Sequence, residues 1–315
     1  MTQDRPMLGI LLMIGFTATA PVMDAFAKLA APTIPVGQIA AARFVLQAII
    51  LWPLVLWLGL TAPPLRGDRT LYFVRALLIL IATSAFFAAL RVMPIADAIA
   101  IFFVEPFILS VLGAVFLGET IGWRRIAACA VGFAGALLVI RPSFSAFGAV
   151  AMLPVLTAFC FACYLVLTRH IARRIPAVAL QFWTAMAATV IILPLLAIGH
   201  TLPLPGFFDD APFHPLQVVL PQGKVWIWLA GVGGMAAVSH LMISFALRYT
   251  PAGTLAPLQY LEIVAATALG FAIFGDFPDV QTLAGIALII GSGIYVFVRE
   301  RRLEREPLPA PQPPI

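Results

Sequence analysis

The feature that most limits what this chain can fold into is its succession of bilayer-length apolar runs. Ten of them, at 7–30, 36–60, 71–93, 95–117, 123–141, 147–169, 177–199, 224–248, 252–274 and 280–298, are separated mostly by short polar or proline-containing joints. About 20 apolar residues in helix cross a hydrocarbon layer roughly 30 Å thick. Inside lipid every backbone polar group must be bonded within the protein, and helices satisfy that requirement for runs of this length. Only 10% of the 315 residues are charged, against roughly 25% in soluble domains, too few to build a water-facing surface. The expected fold class is therefore all-α integral membrane with ten transmembrane helices. Little chain is left for an appended catalytic domain.

The formal charge of +5 is not read as a nucleic-acid footprint, because the basic residues cluster at the ends of the runs, where they report topology. With the N-terminus inside, one side collects Arg5, Arg66, Arg69, Arg75, Arg124, Arg125, Arg169, Arg173, Arg174, Arg248, Arg299, Arg301, Arg302 and Arg305. The other holds Lys28, Arg43, Arg91, Arg141 and Lys224. Both termini are thus expected in the cytoplasm. Met7 to Ala30 is longer than a signal-peptide core and reads as a retained first helix. Cys129, Cys160 and Cys163 all sit in apolar runs, and the CxxC of the last two is read as packing rather than redox chemistry.

Two stretches of the chain resemble each other. "ALRVMPIADAIAIFFVEPFILSVLGAVFLGET" from Ala89 matches "ALRYTPAGTLAPLQYLEIVAATALGFAIFGDF" from Ala246 at an offset of 157, aligning Arg91 with Arg248, Pro94 with Pro251 and Glu105 with Glu262. Upstream the offset is 141, aligning Lys28 with Arg169, Pro35 with Pro176 and Pro53 with Pro194. A proline-rich periplasmic loop at 200–223 accounts for the difference. The expected organisation is an N-terminal repeat at 1–146, a C-terminal repeat at 147–298 and a disordered cytosolic tail at 299–315. Five spans per repeat is an odd number, so the second repeat enters from the opposite side. Inverted repeats of this kind build many secondary transporters.

"FLGET" after the fourth run, "PIADAIAIFFVEPF" opening it, "APLQYLE" in the ninth, Lys28, and "ARF" at Ala42–Phe44 together resemble the EamA family of the drug/metabolite transporter superfamily. Within it the resemblance is nearest to the bacterial inner-membrane exporters of aromatic and other neutral amino acids. It implies ten helices around a central cavity and alternating access without ATP. The chain departs from the family pattern in "FGD" at Phe274–Asp276, where "GE" is usual, and in the length of the 200–223 loop.

Ionisable and polar groups inside the runs are the candidate site, since a charge at bilayer depth costs at least about 2.5–3.5 kcal/mol and is rarely placed without a role. Glu105 and Glu262 lie mid-run. Each could bind a substrate ammonium or a proton, or bond across helices and to backbone freed by Pro106 and Pro257. Phe102 and Gln259 precede them by three residues on the same helical faces, as a flat wall and a polar anchor. Phe102 is equally suited to face lipid. Tyr260 projects elsewhere unless a kink at Pro257 turns it inward. Asp24 pairs with Lys28 at i, i+4 or serves an entrance opened by Pro21. Arg43 pairs with Asp24 or binds a substrate carboxylate. His240 relays protons or bonds between helices, Tyr164 is a further cavity candidate, and Arg75 is expected to snorkel.

Prolines at Pro21, Pro53, Pro106, Pro154, Pro194 and Pro257 mark kinks in six spans. The fifth and tenth hold glycines instead and read as static supports or a dimer contact. There is no GxxxxGK[ST], HExxH or His/Cys cluster. The expected function is a non-enzymatic secondary transporter exporting amino acids or related metabolites, without cofactor or metal. A small-molecule substrate, protons and the lipid bilayer are its expected partners, as monomer or homodimer. Drug efflux, metabolite uptake and an intramembrane enzyme using the two glutamates are the alternatives.

Overall fold

A computed structural model describes residues 5–62, 68–93, 95–118, 122–140, 148–172, 174–201, 214–274 and 280–305. Among the described residues all regular structure is helical: α1 (Pro6–Ala30), α2 (Val36–Trp57), α3 (Arg69–Val92), α4 (Ile95–Phe102), α5 (Glu105–Leu117), α6 (Trp123–Ile140), α7 (Met152–Ala172), α8 (Ala177–Thr201), α9 (Val225–Tyr249), α10 (Ala252–Leu255), α11 (Leu261–Phe274) and α12 (Val280–Arg305), with 3-10 segments at Gly148–Ala151 and Ala256–Tyr260. Seven helical runs are each long and apolar enough to cross a bilayer. The protein is a multi-pass membrane protein. Its outer surface carries large apolar side chains such as Trp57, Val115 and Phe116, as a lipid-facing surface requires.

Two expected spans are not single helices. The run 95–117 divides into α4 and α5, because Pro106 has no N–H to offer the Phe102 carbonyl. The chain crosses the gap with one tight turn, Val104 N–H to Ile101 C=O at 3.4 Å, before the α ladder resumes. The run 252–274 divides into α10, a 3-10 segment holding Pro257, and α11. The other prolines do less. Pro21, Pro53 and Pro194 are carried inside intact helices, and Pro154 falls in the first turn of α7, where a missing N–H leaves no bond unmade. α5 ends where Gly118 of "FLGET" adopts a left-handed φ of 64°, a conformation open to glycine at little steric penalty.

Two boundaries are corrected. The tail expected to be disordered from residue 299 begins as helix, since α12 continues to Arg305 through Arg, Glu and Leu, all good helix formers, and stops ahead of Pro307. Residues 306–315 lie outside the described ones. The loop expected at 200–223 begins after Thr201, and its described part docks on the start of α2. Gly37 N–H donates to Pro215 C=O at 2.9 Å, and Gln38 exchanges two bonds with the Val219 backbone at 2.7 and 2.8 Å.

Two glycines, one from each of the fifth and tenth spans, set the crossing of α6 and α12. A Cβ on Gly135 would lie 2.7 Å from the Gly285 carbonyl oxygen, and one on Gly285 would lie 2.6 Å from that of Gly135. These two glycines therefore bring two helices of one chain together. Gly135→Leu should lower stability by roughly 1–3 kcal/mol through overpacking, read as a lower midpoint in a thermal melt of detergent-purified protein. An unchanged melt would contradict the close crossing.

Candidate functional site

Phe102, just before one break, and Glu262, just after the other, line one cavity that α1, α2, α3, α7 and α9 complete. Its volume is about 70 Å³. That is room for a few waters, each needing about 10–15 Å³, and well short of the roughly 300–1,000 Å³ of sites that hold small organic ligands. The wall is aromatic, built from Phe16, Phe86, Phe87, Phe102 and Phe161. The Phe102 ring lies 5.9 Å from Phe86 and 5.8 Å from Phe161, centroid to centroid.

Asp24, Arg43, His240 and Glu262 are the ionisable groups set into this wall. Arg43 is 2% exposed, and its Nη2 lies 2.7 Å from His240 Nε2. A guanidinium only donates, so His240 Nε2 accepts and the imidazole is neutral. Its proton then sits on Nδ1, 3.2 Å from Ser239 Oγ. Arg43 Nε has no partner. An incompletely satisfied cation in a low-dielectric wall is a strong demand for an acceptor.

Behind Phe161 lies a second buried layer. Tyr164 stacks on Phe161 at 5.8 Å and 20°. Its hydroxyl accepts from Arg75 Nη2 at 2.8 Å and from Gln181 Nε2 at 2.9 Å. Arg75 also donates to Thr168 Oγ1 at 3.1 Å, to the Leu180 carbonyl at 3.1 Å and to Thr184 Oγ1. Its guanidinium carbon is 4.4 Å from the Tyr164 ring centroid. Gln181 Nε2 is 2.9 Å from the His240 carbonyl, and Gln47 donates to Gln181 Oε1 at 3.3 Å. This network spans α2, α3, α7, α8 and α9. Arg75 was expected to snorkel; it is fully buried, because α3, α7 and α8 supply it with acceptors that a side chain at the membrane edge would seek in water.

A third cluster gathers at the breaks. Glu105, Gln259 and Tyr260 are each no more than 1% exposed. Tyr260 donates to the Phe103 carbonyl at 3.2 Å, satisfying a backbone group beside the α4–α5 break. Its ring packs against Phe103 at 5.3 Å and takes the space a Cβ on Gly132 would need.

The EamA-like transporter family matches residues 7–141 and 147–298. The chain belongs to this family. Relatives include the S-adenosylmethionine uptake transporter of Rickettsia bellii (strain RML369-C), 25% identical over 84% of each chain. The pseudopaline exporter of Pseudomonas aeruginosa (strain UCBPP-PA14) is 24% identical over 92% of this chain and 96% of its own. The riboflavin transporter of Rhizobium johnstonii (strain DSM 114642 / LMG 32736 / 3841) is 27% identical over 75% of this chain and 72% of its own. A crystal structure superposes with a TM-score of 0.71 over 92% of this chain and 97% of that one, at 21% identity, which establishes the fold alone. The protein is a membrane transporter, as the motifs around Glu105 and Lys28 implied.

In this EamA-like transporter, Asp24, Arg43, Phe102, His240 and Glu262 meet at the cavity. Phe102 faces inward, so its lipid-facing reading is set aside: the turn at 103–104 leaves it packed between α3 and α7. Lys28 is directed away from a simple pair with Asp24 and donates to the Met93 carbonyl at 3.4 Å. Tyr164 sits one layer back. Glu105, Gln259 and Tyr260 sit behind the breaks and do not line the cavity. Sequence reasoning missed Gln47, Gln181 and Thr184. A lone amide inside an apolar run, four residues after Arg43, was the available signal for Gln47. Tyr164→Phe removes the acceptor that Arg75 and Gln181 share and should destabilise by about 1–3 kcal/mol, measured by thermal melting. An unchanged midpoint would mean the network carries no structural load.

Proposed function

We propose that this EamA-like transporter is a secondary transporter of the bacterial inner membrane that moves amino acids, aromatic or other neutral, or metabolites containing an amino-acid group, by alternating access. The observation that carries the reading is the cavity's charge layout. Arg43, short of an acceptor, shares an aromatic-walled cavity with two carboxyl groups, Asp24 and Glu262. A zwitterion complements that layout, with its carboxylate toward Arg43 and its ammonium toward Asp24 and Glu262. Phe86, Phe102 and Phe161 would take a flat side group. Export is the favoured direction. Uptake is the second reading, and the named S-adenosylmethionine uptake relative favours it; that compound joins a methionine to a nucleoside, within the same substrate class.

Alternating access is read from an inverted duplication of 1–146 and 147–298, with both termini cytoplasmic. Several pairings support it. Lys28 near the end of α1 donates to the carbonyl of Met93, just past the end of α3, and its counterpart Arg169 on α7 donates to the Leu247 carbonyl of α9 at 2.7 Å. α1 packs on α9 as α7 packs on α3, while α2–α8 and α6–α12 pair with their own counterparts. Both broken spans fall at the same place in their halves, with Glu105 and Glu262 following the breaks.

Purified protein in proteoliposomes should take up labelled phenylalanine or S-adenosylmethionine saturably. Arg43→Gln should raise the half-saturating concentration about tenfold or more, the equivalent of 1.4 kcal/mol or more of binding. Riboflavin, which has no carboxylate, should be insensitive to that change if it is carried. Equal uptake of the amino-acid compounds by Arg43→Gln and wild type would contradict the assigned orientation.

A further inference from the structure

Glu105 is fully buried at the first turn of α5, and neither of its carboxyl oxygens has a hydrogen-bond partner. Gln259, 1% exposed in the 3-10 segment, has a partner for neither its amide nitrogen nor its amide oxygen. Each is the other's polar neighbour, close but without closing a hydrogen bond of ordinary geometry, where α5 packs on that segment. Of the buried side-chain polar atoms without partners among the described residues, four thus belong to these two neighbours. Such orphans are rare in native proteins, and each demands an explanation.

The chemistry of the two groups supplies one. An ionised carboxylate only accepts, so it can engage the Gln259 N–H but leaves the amide oxygen facing negative charge. A single added proton changes this. A carboxylic acid presents one O–H donor and one C=O acceptor, and a primary amide presents the matching pair. The two close into a ring: Glu105 O–H donates to Gln259 Oε1, and Gln259 Nε2–H donates to the other Glu105 oxygen. All four orphans are then satisfied.

We propose that Glu105 and Gln259 form a proton-binding acid–amide lock that joins the two broken spans of the transporter. This rests on the transporter reading and gives it a coupling ion. Glu105 follows the break at 103–104, and Gln259 lies in the other break. Closing the ring fastens α5 to the 3-10 segment; on loss of the proton, the Tyr260 bond to the Phe103 carbonyl at 3.2 Å is left as the neighbouring polar tie. The site is separate from the cavity. Glu262, on the helix that follows the second break, lines the cavity instead.

The other titratable groups near Glu105 are Cys129 from α6 and Tyr260. α4 contributes Asp97 near its start, and α10 has no titratable residue. α7, also packed on α5, carries Cys160, Cys163 and Tyr164, the last bound to Arg75, and at its far end His170 and Arg169, the latter donating to the Leu247 carbonyl. None of these is a fixed cation that would hold Glu105 ionised in place of a proton.

Infrared spectroscopy of the purified, substrate-free protein reads the lock directly. Wild type should show a protonated-carboxyl C=O band that Glu105→Gln removes and Glu262→Gln leaves in place. Glu105→Gln keeps a two-bond amide–amide ring, so it should fold. Gln259→Leu should retain the band but shift it toward the frequency of an unbonded acid. In proteoliposomes, Glu105→Gln should lose the response of uptake to an imposed proton gradient. An identical carboxyl band in wild type and Glu105→Gln would overturn the lock. So would thermal stabilisation by sodium ion, present in wild type and lost in Glu105→Gln, with no carboxyl band. If no compound is transported, the proposed function fails while the infrared result still decides the lock.

Discussion

The structure depends on the burial of a cation, Arg75, in the interior of a lipid-solvated bundle. A charge at that depth is tolerated where the protein replaces water donor by donor. Arg75 achieves this by collecting Tyr164 and Thr168 from α7 and Leu180 and Thr184 from α8. Those bonds fix α3 against the helices that carry Phe161 and Gln181. The aromatic wall of the cavity, with Phe86 and Phe87 on α3 and Phe161 on α7, has its geometry because that anchor holds. Arg43, one layer nearer the cavity, differs in being incompletely satisfied. The same residue type is structural in one place and receptive in the other, and the number of fixed acceptors makes the difference.

The broken spans supply what a rigid bundle cannot. Helices α6 and α12 cross so closely at Gly135 and Gly285 that neither tolerates a Cβ, a contact suited to holding still. The α4–α5 and α10–α11 breaks instead place irregular backbone beside ionisable groups, a combination viable in lipid where protein or a cavity covers it. A cavity of about 70 Å³ must widen to admit a small organic molecule. The breaks, with Phe102 on one and Glu262 on the other, are the segments whose movement would widen it.

Much of this was legible in the sequence because the bilayer sets the length of each span and the ionisable residues inside the runs stand out. Asp24, Arg43, His240 and Glu262 were found for that reason. Other features depend on partners that local sequence does not contain. Pro21, Pro53 and Pro194 look like Pro106 and Pro257, yet only the latter two sit where helices divide. Arg75 near the end of a run resembles a snorkelling residue until Thr168 and Thr184, far along the chain, are seen to surround it. The proline-rich loop at 200–223 reads as water-exposed, with nothing in its own sequence to show that its described part is held by Gly37 and Gln38 of α2. Glu105 and Glu262 are equivalent in the repeated pattern, but they differ in the folded protein: one is enclosed beside Gln259 and the other opens on the cavity.

The most direct test of the account is a pair of spin-label distances by pulsed electron resonance in lipid nanodiscs. One pair, Val111 on α5 and Leu220 in the docked loop, reports a broken span. The other, Val131 on α6 and Ile294 on α12, reports the glycine crossing. All four side chains are exposed. With a transported amino-acid compound or a change of pH, the first distance should redistribute between two values while the second stays fixed. A first distance that never changes, or a second that changes with it, would contradict a transporter whose broken spans move against a fixed pair of helices.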